Sequence, residues 1–198
     1  MKKIIWIIVP VAVIVFFLSQ AGSSENKYQD EIDDFWEDKH DFFRNSQASP
    51  FTQTGTEYHE VEFFPADPKF KVTATLDRFT TREIETIGNS DGTTTRYLKF
   101  AIARFEIDKQ PQQILILKTL GFGNQYLTAF GDETSGSSTY GGGRYLDLSI
   151  GKSDRIEIDF NKAYNPYCAY FEDFTCPLPP IENLMNIAIE AGEKVYPH

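Results

Sequence analysis

From Tyr58 to Phe160 the chain repeats one pattern. Apolar and polar residues alternate with a period of two, and the runs are separated by glycine, asparagine and aspartate. Only a pleated strand sends successive side chains to opposite faces, so this pattern commits most of the chain to β structure with one buried face. Phe70, Val72, Ala74 and Leu76 alternate with Lys71, Thr73, Thr75 and Asp77. Thr80–Ile87 and Thr94–Lys99 flank Gly88-Asn89-Ser90-Asp91-Gly92, a run that tolerates positive φ and predicts a hairpin. The second arm continues to Ile107. Its apolar phase switches from Leu98, Phe100 and Ile102 to Phe105 and Ile107, which predicts a bulge near Ala103-Arg104. Ile114–Leu117 is apolar on both faces and reads as a central strand. With Tyr126–Phe130, Arg144–Ile150 and Arg155–Phe160 the count reaches roughly eight strands. The fold expected is mainly β, an antiparallel sandwich or barrel.

A helix precedes this region. Over Glu25–Arg44, Tyr28, Ile32, Phe35, Trp36 and Phe43 recur at three- and four-residue spacing with Asp and Glu between them. Such an aromatic stripe packs across an open end or face of the domain, or is offered to a partner. Asn45–Gly55 is a polar connector with Ser49-Pro50 inside it. At the other end Ile181, Leu184, Met185, Ala188 and Ile189 fit a helix, whereas Ile187 and Ile189 fit a strand. No internal repeat or linker divides residues 22–198, which read as one mainly-β domain.

Twenty-nine Asp and Glu against nineteen Lys and Arg give a net charge of −10. Nucleic-acid binding and docking on an anionic membrane both draw on clustered Lys and Arg, so both are excluded as expectations. Lys2 and Lys3 precede the apolar run Ile4–Leu18, and Ser19 and Ala21 follow at positions a signal peptidase reads. Residues 1–21 are therefore a signal peptide or an N-terminal membrane anchor. As an anchor the run is short, covering roughly 22 Å of a hydrocarbon core of ~30 Å. No Cys follows it, which excludes a lipoprotein anchor. Either reading makes the chain exported or periplasmic, or anchored with its domain facing the extracytoplasmic side, and the membrane is met only through this segment. In that oxidising setting Cys168 and Cys176 are candidates for a disulfide, the alternative being two packed thiols. Their spacing fits neither a C-x-x-C redox pair nor a zinc knuckle, and no metal site is expected.

Two segments stand out as candidate sites. The loop Gly131–Arg144 is rich in Gly, Ser and Thr, and its glycines let backbone N–H groups approach a ligand. It lacks G-K-[ST] and carries Asp132 and Glu133, so it is not a phosphate loop. Arg144 shares strand phase with Leu146, Leu148 and Ile150 and so opens the inward-facing row. A guanidinium there must reach a carboxylate, Asp132 or Glu182, or clamp an anionic ligand at a cavity mouth. The second segment, Asp159–Tyr170 continued by Cys176–Asn183, is forced into an extended path by Asn165-Pro166 and Pro177-Leu178-Pro179-Pro180. It offers Tyr164 for stacking and Asn161, Asn165 and Asn183 for orienting a ligand, with Tyr140 from the glycine loop as a second stacking ring. Asp132 and Glu182 are the only acid/base candidates. His40, His59 and His198 lie outside these segments, and G-x-S-x-G, H-E-x-x-H and Walker motifs are absent.

The blocks T-Y-G-G-G-R-Y-L at Thr139–Leu146, D-F-N-K-A-Y-N-P-Y-C-A-Y at Asp159–Tyr170, C-P-L-P-P-I-E-N at Cys176–Asn183 and A-G-E-K at Ala191–Lys194 resemble the bacterial and archaeal domain-of-unknown-function family numbered 1684. The acidic, aromatic F-W-E-D-K-H-D-F-F of the N-terminal helix and Phe63-Phe64-Pro65-Ala66-Asp67 resemble that family's opening. The resemblance implies a family without an assigned activity or cofactor, and a strand over Asn183–Gly192. Three functions follow as expectations: a cell-envelope module binding a small anionic ligand at the sheet end, a structural or interaction protein, and a carboxylate-dependent enzyme. No cofactor is expected.

Overall fold

The computed structural model describes residues 26–121 and 125–197. The apolar segment 1–21 lies outside the described residues, and among those described no helix is long and apolar enough to cross a membrane. Among the described residues the alternating pattern becomes seven strands: β1 (Lys71–Arg78), β2 (Ile84–Gly88), β3 (Thr94–Ile107), β4 (Gln110–Thr119), β5 (Tyr126–Phe130), β6 (Arg144–Leu148) and β7 (Arg155–Asp159). All are antiparallel in one sheet of order β6-β5-β4-β3-β1-β7, with β2 paired to the beginning of β3. The sheet curls into half a barrel instead of folding into two packed sheets. β2 and β1 occupy the same edge of β3 in succession, Ile84–Gly88 against Thr94–Leu98 and then Thr75–Arg78 against Ala101–Arg104.

The bulge in β3 falls between Lys99 and Ala101, earlier than the apolar phase predicts. Ala101, Ala103, Phe105 and Ile107 share the core face, while Ile102 packs on the other face with Leu115 and Leu117. Alanine is weakly apolar in a pattern and small in a core, so the larger Ile102 misleads the reading. β4 is buried on both faces, as Ile114–Leu117 predicts: Ile114 and Ile116 line the concave core, Leu115 and Leu117 the convex cluster.

The chain after β7 fills the concave side. Phe160, Ala163, Met185, Ile189 and Ala191 join β-strand residues such as Phe130 and Leu146 in the main core. This stretch is neither the helix nor the strand considered for it. It runs as an extended strap with short 3-10 turns at Phe160–Lys162, Tyr167–Ala169 and Ile181–Asn183. Its backbone groups are satisfied sideways, by the glycine loop: Gly131 N–H donates to Asn183 O at 3.0 Å, Met185 N–H to Gly131 O at 2.8 Å, and Glu133 N–H to Ile187 O at 3.0 Å. Irregular chain can be buried only when such partners exist.

The N-terminal helix, α1, covers residues 26–45 of the described chain. Ile32, Trp36 and Phe43 are buried, and Phe35 remains partly exposed. Trp36 stacks on Phe63 with ring centroids 3.9 Å apart, and Phe43 meets Phe51, Tyr58 and Tyr170. Phe51 belongs to a short helix, α2 (Pro50–Thr54). The Tyr28 hydroxyl donates to Asp159 at 2.9 Å, and Lys162 pairs with Glu31 at 2.7 Å. The aromatic stripe therefore pins α1 across the strap.

Candidate ligand-binding site

The site expected around Arg144 is a packed junction. Arg144, the first residue of β6, is 1% exposed and packed into the protein, not open to a cavity mouth. Its Nη2 donates to Asp132 Oδ2 and to Ile189 O, both at 2.8 Å, and its Nη1 to Ala191 O. Among the described residues only Nε finds no partner. The remaining oxygen of Asp132 accepts from Thr134 N–H at 2.8 Å, the Thr134 hydroxyl at 2.6 Å and Ile189 N–H at 3.2 Å. The Arg–carboxylate pair thus ties the glycine loop to the strap, and the guanidinium is committed to holding the fold, so the anion clamp expected there is not formed.

The glycine loop owes its composition to packing. A Cβ on Gly143, whose φ is +84°, would lie 2.4 Å from Pro179 Cγ and 2.6 Å from Phe130 O. A cavity of about 300 Å³ lies beside Gly131, Asp132 and Leu184, while the exposed Glu182 lines a different one beside Gln110 and Gln113. Asp132 and Glu182 do not share a pocket, and the acid/base pair is not assembled.

Asn161 and Asn183 act as backbone brackets. Asn161 accepts Asp67 N–H and donates to Asp67 O, both at 2.9 Å. Asn183 sits where β4 and β5 diverge. It accepts Leu115 N–H at 2.6 Å and donates to Leu115 O, the Thr128 hydroxyl and Ala129 O. Tyr140 donates to Cys168 O at 3.4 Å, away from Tyr164. Cys168 and Cys176 are free thiols here, a correction to the disulfide considered for them. Cys168 N–H donates to Cys176 Sγ at 3.2 Å. Cys176 shares its own proton with the Cys168 sulfur, which holds the Cys168 thiol down to about 7 and pushes Cys176 far above its ordinary value.

Tyr164 and Asn165 belong to another place. They line a cavity of about 940 Å³ between α1 and the strap. From α1 come Phe42, Phe43, Asp38 and Lys39; from β6 come Tyr145 and Asp147; from the strap, Tyr167 and Phe174. Tyr145 and Tyr164 meet edge to face with centroids 6.1 Å apart, and Tyr167 and Phe174 likewise at 5.4 Å. The Tyr164 hydroxyl donates to Asp147 at 3.1 Å, and burial, reinforced by that carboxylate, raises its pKa. At the base, Lys39 forms an ion pair with Glu193, which is 0% exposed. Glu193 Oε2 also accepts Asn165 N–H and the Tyr170 hydroxyl, both at 2.6 Å. Burial lowers the Lys39 pKa, and Glu193 opposes that shift. The Nζ of Lys39 stands over Tyr164, 4.4 Å from its centroid, and within 5.8 Å of Phe43 and Trp36. Asn165 donates its amide to Lys194 O at 2.8 Å, but its buried Oδ1 receives no donor among the described residues.

Lys39, Glu193, Tyr145 and Asp147 are the residues that sequence reasoning passed over. The signal for Lys39 was its position, three residues after Trp36 and four before Phe43, on the apolar side of the helix. Glu193 lies inside the A-G-E-K block.

A curled antiparallel half-barrel, plugged by its own C-terminal strap and crossed by one helix, defines the class of domain. The chain belongs to the family described as Protein of unknown function (DUF1684), which matches residues 56–194, in agreement with the resemblance carried by its motifs. It is similar to an uncharacterised protein of Haloarcula marismortui solved by solution NMR, at 30% identity, covering 87% of this chain and 96% of that one with a TM-score of 0.65. No curated protein matches.

Proposed function

We propose that the protein is a cell-envelope module that binds a small organic molecule in the aromatic cavity between α1 and the strap. One observation carries the reading: about 940 Å³ of space is walled by aromatic rings from three separate elements, α1, β6 and the strap. Small-molecule sites have this size and composition, apolar walls with a few placed polar groups. The envelope location rests on the Lys2-Lys3 pair, the apolar run Ile4–Leu18 and the small residues after it.

The test is a fragment screen on the full chain by protein-observed NMR, repeated on Tyr167→Ser. Tyr167 is partly exposed on the cavity wall, so its loss is expected to abolish ligand-induced shifts at Tyr164 and Asn165 without lowering the melting temperature. A library in which no fragment perturbs cavity residues refutes the binding reading. Fractionation of tagged cells tests the location, and recovery of the chain in the cytosolic fraction refutes it.

A further inference from the structure

We infer that the cavity takes an organic cation, a ligand with an alkylated or quaternary ammonium head. This rests on the binding reading above and adds the ligand's chemical class.

The charges lining the cavity do not cancel. Among the described residues Lys39 is the one Lys or Arg on its wall, and its charge is offset by Glu193, with a smaller share from Asp147. Asp38 and Asp147 line the same cavity, and among the described residues neither forms an ion pair with a Lys or Arg. Asp147 accepts only a neutral donor, the Tyr164 hydroxyl. Both residues are exposed at the cavity rim, where their negative charge repels an anionic head and attracts a cationic one.

The rings point the same way. The faces of aromatic rings carry partial negative charge and attract ammonium groups within about 6 Å of the centroid. The fold already uses this at the cavity base, where the Lys39 ammonium lies 4.4 Å from the Tyr164 centroid and 5.4 Å from that of Phe43. Further out, Tyr145, Tyr167 and Phe174 line the same cavity, and among the described residues no Lys or Arg stands over any of them. The composition that holds the protein's own ammonium is thus repeated where no cation is supplied by the chain.

Three probes titrated into the full chain test this: choline, its uncharged isostere 3,3-dimethylbutan-1-ol, and benzoate. Choline at millimolar concentration is expected to shift the resonances of Tyr164, Asn165 and Tyr167. It should bind roughly tenfold more tightly than the isostere, a difference of about 1.4 kcal/mol. Added salt should weaken choline and leave the isostere unchanged. Asp147→Asn keeps an acceptor for Tyr164 but removes the charge, and is expected to bring choline down to the isostere's affinity. Binding of the isostere or benzoate as strong as that of choline overturns the cation assignment and leaves the cavity a binding site. Absence of any choline shift overturns it too, and the fragment screen then decides separately whether the cavity binds anything.

Discussion

The ammonium of Lys39 and the carboxylate of Glu193 meet inside the protein, one carried by the N-terminal helix and the other by the C-terminal strap. Neither charge is tolerable there alone, because a buried ion without a partner keeps its full desolvation cost. Lys39→Met leaves Glu193 unpaired and is expected to cost about 3–5 kcal/mol of stability in urea unfolding. Lys39→Met combined with Glu193→Gln removes both charges and is expected to regain part of that loss. A single variant as stable as the native chain would show that the pair does not hold the helix.

Arg144 and Asp132 pose the same question on the other side of the core. The guanidinium reaches Asp132, Ile189 O and Ala191 O at once, an arrangement its planar fork permits and a lysine ammonium does not. Arg144→Met is expected to lose about 3–5 kcal/mol, and Arg144→Lys to recover little of it. Full recovery by lysine in chemical denaturation would mean that charge alone, and not the fork, is required.

Asn183→Ala removes the partner of Leu115 N–H and a donor to Ala129 O, while Leu115 O keeps the Thr128 hydroxyl. Unmet groups of this kind cost about 1–3 kcal/mol each, so the variant is expected to lose at least one such increment. The specific readout is hydrogen exchange: the Leu115 amide should lose protection before its neighbours in β4. Unchanged exchange at Leu115 would show that another group replaces the asparagine.

The thiols should react unequally. Cys168 ionises at about 7 because Cys176 shares a proton with it, so its alkylation rate should rise through neutral pH while Cys176 stays slow. The native chain then binds fewer protons than the unfolded one between about pH 7 and the ordinary thiol value. Stability should therefore rise with pH across that window, and Cys168→Ser should flatten the slope. Equal alkylation of both cysteines at neutral pH, read by mass spectrometry, would contradict the arrangement.

Gly192 has a φ of +76°, and a Cβ there would lie 2.5 Å from Ala163 O. The left-handed backbone alone costs an alanine about 1–2 kcal/mol, and the collision with a backbone oxygen adds to it. Gly192→Ala is expected to lower the melting temperature, while an alanine at Gly88, where a Cβ meets nothing, should leave it nearly unchanged.

Much of the fold was legible because its signals are local. Period-two alternation marked the strands, Gly88–Gly92 marked the β2–β3 hairpin, and the aromatic spacing of Tyr28, Ile32, Trp36 and Phe43 marked α1. The bulge in β3 was misplaced because Ala101 and Ala103 carry little pattern yet line the core. The strap misled for a different reason. Met185, Ile187, Ile189 and Ala191 take their hydrogen bonds from the Gly131–Arg144 loop, so no periodicity of their own describes them.

What the sequence determined by itself was the class of structure, the helix, the buried face of regular strands such as β1 and the family, all properties written within a few residues of one another. Only the tertiary structure decided what the charged residues do. Arg144 could be read as facing inward, but that Asp132 and not a ligand would neutralise it depended on how a loop and a strap meet. Asp132 and Glu182 looked like a pair and open onto different cavities, whereas Lys39 and Glu193 gave no sign of each other and share a buried bond. A local pattern reports which way a side chain points. The fate of a buried charge is set by the partner that the rest of the fold brings within reach, and that partner lies far away along the chain.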